Sequence, residues 1–459
     1  MDFMYNKLER NKKYFKIITF LGILIRVFFI LKVPCEPISD FQKYQQIATN
    51  IFMGKGHYYL GKPIAFQPMG YPFILGCLYK LIGSNNIILG KALNVVFSSV
   101  TLIIILKILL KISNNKKLIY ITYTIITFLP NYIVYNNVLG SEILVTLLLS
   151  IIIYLQLCDF NNNLRYVLIG LFIGLATLTK PFFILYPIIV AIIQWLKNKN
   201  IKDTSKIFFV SFTIMCLVIA PWTYRNYKNF NLFIPVSYNG GYVLFINNNS
   251  NNKSGAWMRI KDIDISNKLE SKFKKYKFNY KTSVNNEVNQ VMIKPKLNNI
   301  LKEEAKKWIF NHPGKFIEMG LLRIKNTFFS GSGDIYQWGM NNQNKYNDTF
   351  LKNSYTKCFT DYIIYILSFL AFFYVIYNFK NIVFSLFKKE LKVNYIKSII
   401  FLNVSYFICI PFVFEGQQRY DFPILFLCVI SAISILNSIF KAMFIISNKS
   451  KVKYIKIQN

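Results

Sequence analysis

The chain has 459 residues, of which 54% are hydrophobic and 17% aromatic but only 16% charged, whereas charged residues make up about a quarter of an average soluble protein; a water-soluble globular domain is excluded. A net charge of +35 would suit a nucleic-acid partner, yet the cations are spread over the connections between apolar runs instead of being gathered on one recognition element. Membrane topology, not nucleic acid, accounts for them.

Apolar runs approach the roughly 20 residues that a bilayer crossing needs at 15–33, 87–110, 118–134, 143–157, 166–179, 182–196, 207–222, 362–379, 399–414 and 423–446. They predict an all-α polytopic membrane protein with about ten transmembrane helices. Lys7, Arg10, Lys12, Lys13 and Lys16 open the first run; Lys107, Lys111, Lys116 and Lys117 flank the turn after the second; Lys197, Lys199, Lys202 and Lys206 follow the sixth. Lys380, Lys388, Lys389, Lys392 and Lys397 follow the eighth, and Lys441, Lys449, Lys451 and Lys453 gather at the end of the last. These clusters alternate with connections poor in cations, such as 131–141, which has no Lys or Arg. By the positive-inside rule both termini are expected in the cytoplasm, under a plasma membrane. The first run lacks a small-residue cleavage site and is expected to be an uncleaved anchor.

The outer segment 34–86 places a carboxylate, Asp40, at the membrane rim just after the first span. Rim and intramembrane carboxylates are costly and mark functional sites by default. Asp40 opens a helical pattern over 40–53, with Phe41, Tyr44, Ile47, Ala48 and Ile51 at three- and four-residue spacings and Gly54 and Gly56 to end it. The competing reading of Asp40 is a helix N-cap, a role Ser39 would fill as well. The apolar stretch 71–82 is too short to span easily and is expected at the interface or as an extension of the next span. Tyr44 and Tyr71 read either as substrate-binding walls or as aromatic-belt anchors. Glu142 starts the fourth run, where a carboxylate either meets the positive end of a helix or belongs to a site.

Short outer loops avoid cations, so those found there are informative: Lys180, Arg225 and Arg419, each at the outer end of a different span. Three cations at one membrane level suit a phosphate group on a lipid carrier, since charge-assisted contacts to phosphate are strong and Arg makes them bidentately. Snorkelling to phospholipid headgroups is the plainer reading of any one alone. The second outer segment, 224–361, is rich in Asn and Lys, but Trp257, Trp308, Trp338 and an amphipathic stretch over 316–329 argue for a small, mostly helical domain rather than disorder. The organisation expected is therefore a transmembrane module over 1–223, an outer domain over 224–361 and C-terminal helices with a cytoplasmic tail over 362–459. Seven cysteines, an odd number, lie mostly inside spans; Cys35 and Cys358 sit near the outer face, where a pairing is open. Only His57 and His312 are available as imidazoles, without CxxC or HExxH spacing, so a zinc site is not expected. His57, beside Gly56 and Tyr58, reads as a solvated loop residue.

Asp40 with Tyr44 and Ala48, Pro68-Met69-Gly70-Tyr71-Pro72, Gly140-Ser141-Glu142, Leu178-Thr179-Lys180-Pro181, Ala220-Pro221-Trp222 with Arg225-Asn226, Gly240-Gly241 with Asn247-Asn248, His312-Pro313, and Glu415 through Arg419-Tyr420 run in order through most of the chain. In that order the chain resembles integral-membrane glycosyltransferases of the GT-C type, in the bacterial branch of protein O-mannosyltransferases and the aminoarabinose transferase of lipid A. The resemblance implies a sugar donor on polyprenyl phosphate and direct, inverting transfer of a single sugar on the outer side of the membrane. The acceptor, whether lipid, protein or cell-wall polymer, stays open. It implies Asp40 as general base, with Lys180, Arg225 and Arg419 around the donor phosphate. In some relatives an acidic residue before the proline-rich segment joins a histidine in holding a divalent metal. Here Gln67 stands near that position, and His312 either serves a metal or, ahead of Pro313, ends a helix. A flippase or transporter of lipid-linked saccharides is the alternative outside the enzymes, though no duplicated halves are visible. An oligosaccharide ligase or polymerase is the alternative within them.

Overall fold

The computed structural model describes residues 12–341, 354–387 and 394–457; Lys7, Arg10, Lys388, Lys389 and Lys392 of the cationic clusters lie outside the described residues. The chain is an all-α polytopic membrane protein. Among the described residues eight helices are long and apolar enough to cross a membrane, or nine if one bent pair counts as a single span. They include α1 (Lys12–Lys32), α4 (Ile87–Ile112), α8 (Asn162–Thr179) and α10 (Ile201–Phe230). The others are α9 (Tyr186–Asn198) with the 3₁₀ turn before it, α16 (Ser354–Phe387), α17 (Tyr395–Val413) and α18 (Leu425–Ile457) with the turns that lead into it.

The two runs that depart from simple spans do so for local reasons. The expected span 118–134 is broken into α5 (Lys116–Thr127) and α6 (Pro130–Val134), bent by 49°. Pro130 has no N–H to give and disfavours helix in the residue before it, so the first helix stops and a second starts on its far side. The run 143–157 forms α7 (Glu142–Leu157), whose 16 residues are short for a bilayer; nearly every one is buried, enclosed by α4 and α8. The starts of α5, α8, α10 and α17 are capped alike: Asn115, Asn161, Asn200 and Asn394 each accept from backbone N–H groups of the first helical turn. The asparagine-rich connections thus mark helix starts.

Inside the bundle one cation acts as a clamp. Arg26 of α1 is fully buried and donates to Ser98 Oγ of α4 at 2.8 Å, to the Gly22 carbonyl at 2.8 Å and to the Thr127 carbonyl at the end of α5 at 3.0 Å. A guanidinium in this setting is costly unless its donors are used; Nε and Nη1 join three helices, while Nη2 has no hydrogen-bond partner.

At one end of the bundle, α2 (Ser39–Phe52) buries Phe41, Tyr44, Ile47 and Ala48 and packs along α3 (Gly70–Ile82). Gly54 and Gly56, both at positive φ (75° and 82°), turn the chain out of α2 where L-residues would be strained. A two-stranded hairpin follows, β1 (Tyr58–Tyr59) with β2 (Lys62–Pro63), pairing Tyr58 with Pro63. His57 is not solvated as its neighbours suggest: it is buried with its ring edge-on to Trp222 at 4.9 Å. The expected break at 223 falls within α10, which runs on to Phe230 and carries Arg225 and Asn226 on its last turns.

Over the same end lies a helical layer: α11 (Gly240–Asn247), α12 (Asn267–Lys275), α13 (Val284–Met292), α14 (Pro295–Asn311) and α15 (Pro313–Phe328). Arg323, fully buried on α15, fastens it to the bundle. Its guanidinium donates to the carbonyls of Phe412 (2.9 Å) and Val413 (3.2 Å) at the end of α17, to Asn248 Oδ1 (2.9 Å) and to the Asn247 carbonyl.

Candidate active site

Helix direction brings Glu142 and Lys180 to one end of the bundle, where Asp40 and Arg419 join them. α7 begins at Glu142 and α8 ends beside Lys180, so two antiparallel neighbours place these side chains at the same level, where Lys180 Nζ lies 3.3 Å from Glu142 Oε1. The opposite end of α8 carries Arg165, which with Lys197 surrounds Asp159. Asp40 enters from α2, and Arg419 from the 3₁₀ turn Gln418–Tyr420 that leads into α18. Arg419 Nη2 is 3.1 Å from Asp40 Oδ2, and Lys43 Nζ is 3.5 Å from Asp40 Oδ1.

The pair is held from behind. The Arg419 guanidinium sits over the rings of Phe41 (5.4 Å), Tyr420 (5.5 Å) and Trp338 (5.7 Å). Lys180 lies 5.9 Å from the centre of the same Tyr420 ring, and the Tyr420 hydroxyl donates to Glu415 Oε2 at 2.8 Å. Gly140 is required here, because a Cβ would strike both the Glu142 carboxylate and the Phe41 ring.

Asp40 does not cap its helix. The position before α2 is Ile38, and no side chain bonds to the first-turn N–H groups. Ser39 meanwhile adopts a left-handed φ of 54°, unusual for a residue with a side chain. Both facts free the Asp40 carboxylate to face a cavity of about 830 Å³ that lies between the bundle and the helical layer. Its walls include Asp40, Lys43, Tyr44, Gln67, Asn239, Tyr242, Trp257, Asn289, Asp334, Trp338, Glu415, Arg419 and Tyr420. Asp40 is set deep among protein atoms, yet 36% of its side chain remains open to this cavity. Burial alone would raise its pKa, but Arg419, then Lys43 and Lys180, more than offset that and hold it at about 2. Asp334, also buried, is the converse: desolvation pushes it up to about 6 although the Tyr135 hydroxyl donates to it at 2.6 Å. Burial likewise raises Glu415 against the opposing charge of Arg419.

Of the residues singled out in the sequence, Asp40, Arg419 and Tyr44 line the cavity, and Glu142 and Lys180 stand behind them. Tyr71 lies beneath Tyr44, with ring centres 6.0 Å apart, and its hydroxyl donates to Asn94 Oδ1 at 3.2 Å; it is not part of the lining. Arg225 is not brought to Asp40. Its guanidinium donates to the carbonyls of Ile64 (2.8 Å) and His57 (2.9 Å), the two flanks of the hairpin, and stacks over Trp222 at 4.7 Å. Burial and then the Arg225 charge depress the His57 pKa to about 3, which leaves that imidazole neutral. His312 also lies away from the cavity lining, its ring stacked on Trp308 and its Nδ1 3.0 Å from the Trp308 carbonyl. Among the described residues no group of three or more His, Cys, Asp or Glu is placed to hold a metal ion; the charged partners of Asp40 are cations, a poor donor set for one. Cys35 and Cys358 are both free, with Cys35 Sγ donating to the Trp338 carbonyl at 3.1 Å.

The sequence reading passed over Lys43, Asp334 and Trp338 as site residues. Lys43 carried a signal, since it falls one helical turn after Asp40, a spacing that makes side chains meet. Asp334 and Trp338 reach the site only through the folding of a segment about 300 residues away along the chain.

No family model and no curated protein matches the sequence. Solved structures of the oligosaccharyltransferase of Archaeoglobus fulgidus do match the fold. The AglB structure in complex with an inhibitory peptide and a dolichol-phosphate is 12% identical over 96% of this chain and 52% of that one, with a TM-score of 0.51. The apo form is 11% identical over 97% of this chain and 52% of that one, again at 0.51. The form tethered to an acceptor peptide containing the NVT sequon is 14% identical over 95% and 50%, at 0.50. The chain therefore spans about half the length of these structures. At such identity the likeness is one of fold.

Proposed function

We propose that this protein is a membrane glycosyltransferase that moves a single sugar from a polyprenyl-phosphate donor to an acceptor hydroxyl, with inversion, in a cavity facing outward from a plasma membrane. The observation that carries the reading is the Asp40–Arg419 pair, 3.1 Å apart, at a cavity of about 830 Å³ in a GT-C fold. A solved structure of that fold binds a dolichol-phosphate, a lipid phosphate of the proposed donor class.

In this scheme the acceptor oxygen attacks the anomeric carbon as the bond from that carbon to the lipid-phosphate oxygen breaks. Its electron pair leaves on the phosphate, and the acceptor proton passes to Asp40 and then to water. Arg419, with Lys180 behind Tyr420, stabilises the phosphate as its charge grows. A carboxylate held at about 2 is a weak base, because general bases work best near the operating pH. Donor binding corrects this: a phosphate that draws Arg419 toward itself weakens the field that depresses Asp40, so the base strengthens when the donor is seated. Arg225 takes no part in this scheme and holds the His57–Ile64 hairpin. Among the described residues no donor set is placed to hold a metal, and no step of this scheme needs one.

A second reading, transfer of a whole oligosaccharide from its lipid carrier, draws support from the size of the cavity and from the oligosaccharyltransferase activity named for the similar structures. The test is transfer of radiolabelled sugar in proteoliposomes from a panel of polyprenyl-phosphate monosaccharides and one lipid-linked oligosaccharide, with host membrane extract as acceptor. Labelling from a monosaccharide donor that disappears in Asp40→Asn is expected. Labelling from the oligosaccharide alone selects the second reading, and saccharide movement between leaflets without transfer sinks both.

A further inference from the structure

The wall of the cavity contributed by the helical layer carries no charged side chain and mixes amides with Val243, Val284 and Val288, while the loop between β2 and α3 adds a polar atom that the fold leaves unused. Gln67 is 4% exposed and lines the cavity, yet its Oε1 has no hydrogen-bond partner. A buried amide carbonyl without a partner carries a desolvation cost, which a ligand hydroxyl would remove. The same cavity is lined by Asn239 and Tyr242 at the start of α11, by Asn285 and Asn289 on α13, and by Trp257, which is 37% exposed.

We infer that this wall is a subsite for a neutral saccharide and that the acceptor is a glycan rather than a polypeptide. The proposal rests on the transferase reading for its role but not for its chemistry. Primary amides present a donor and an acceptor side by side, which fits the adjacent hydroxyls of a sugar ring. Exposed aromatic faces cover the apolar C–H face of the same ring, giving contact area at little entropic cost. A polypeptide acceptor would instead be held through its backbone, on a sheet edge or in a helix-shaped apolar groove; Tyr59 is the strand residue in the lining, and it turns its hydroxyl to Asn289 Oδ1. The cavity, at about 830 Å³, lies toward the large end of the roughly 300–1,000 Å³ of ligand sites. It has room for an acceptor ring beside a donor sugar. Asp40, Lys43 and Arg419 enter from the bundle side, the asparagines and Trp257 from the overlying layer and Gln67 from the loop between β2 and α3, so the charged donor and the neutral acceptor meet different groups.

The test uses the full chain in detergent micelles and reads binding rather than turnover, through the fluorescence of Trp257 and Trp338 and through saturation-transfer NMR of the ligand. The probes are maltose, cellobiose, lactose and chitobiose, with Ser- and Thr-containing heptapeptides as the contrast. At least one disaccharide should bind wild type and weaken about tenfold in Gln67→Ala, the loss of roughly one or two hydrogen bonds. Trp257→Ala, a change at an exposed rim position, should weaken it comparably without disturbing the core. Gln67→Glu, which keeps size and fold, should retain part of the binding. Peptide binding with no disaccharide binding, or disaccharide binding indifferent to both Gln67 and Trp257, overturns the subsite. Saccharide binding with no transfer from any lipid-phosphate donor leaves the subsite standing and removes the transferase reading; transfer to peptide alone does the reverse.

Discussion

At the scale of single residues, partners decide role more than position in the sequence does. Lys180 and Arg225 look equivalent as cations at the ends of two spans, yet Lys180 faces Glu142 and Tyr420 behind the site while Arg225 spends its donors on backbone carbonyls. Lys180→Ala should therefore lower kcat by about 10²-fold, the effect of removing one donor from a developing anion. Arg225→Ala should lower the melting temperature and leave per-molecule turnover of the folded fraction near wild type. Identical kinetic losses in the two would remove the distinction. Asp334 gives a pH prediction whose sign follows from burial. Its pKa rises from about 3.9 in an unfolded chain to about 6 in the fold, so the neutral acid is favoured. The stability this contributes is complete below about 3.9 and is lost as pH rises through about 6. The loss is about 3 kcal/mol for a shift of this size. Asp334→Asn, uncharged at every pH, should flatten the fall in melting temperature between pH 4.5 and 7.5; an unchanged slope would show that Asp334 does not titrate there.

At the scale of elements, a few buried guanidiniums do the joining that apolar packing cannot do within a bilayer, where lipid and side chain are equally apolar. Arg323 is the clearest, with carbonyls from the ends of two helices, α11 and α17, and the Asn248 side chain meeting at one guanidinium on α15. Arg323→Ala should destabilise the protein by about 3 kcal/mol, since carbonyls that lose a charged donor stay buried. Limited proteolysis should then cut the layer over 240–330 while the bundle remains intact. Uniform cutting, or none beyond wild type, would count against Arg323 as the fastening. The helix α2 was legible in sequence because its apolar spacing, its glycine stop and its length agree. The broken pair α5 and α6 was less so: hydropathy averages over a window and does not register the single Pro130 that bends the run by 49°.

At the scale of the whole molecule, the alternating lysine clusters predict which end of the bundle faces outward, and the site residues gather at the end those clusters avoid. A cysteine introduced at Asn285 in a cysteine-free background should label with a membrane-impermeant maleimide in intact spheroplasts, and one at Asp159 only after permeabilisation; the reverse pattern would turn the cavity inward. The sequence by itself determined the class of fold and most of the spanning helices, and it singled out Asp40 as a candidate, because bilayer length and the cost of charge in lipid act on each segment independently of the others. It also offered Arg419 and Lys180 as candidates, through their rarity at span ends. Only the tertiary structure decided that Arg419 pairs with Asp40 across 379 residues of chain, that Arg225 turns away, and that Gln67, Asp334 and Trp338 share one cavity. Those facts depend on which helices become neighbours and on which donors are already used, and both are properties of packing between distant segments that no local pattern encodes.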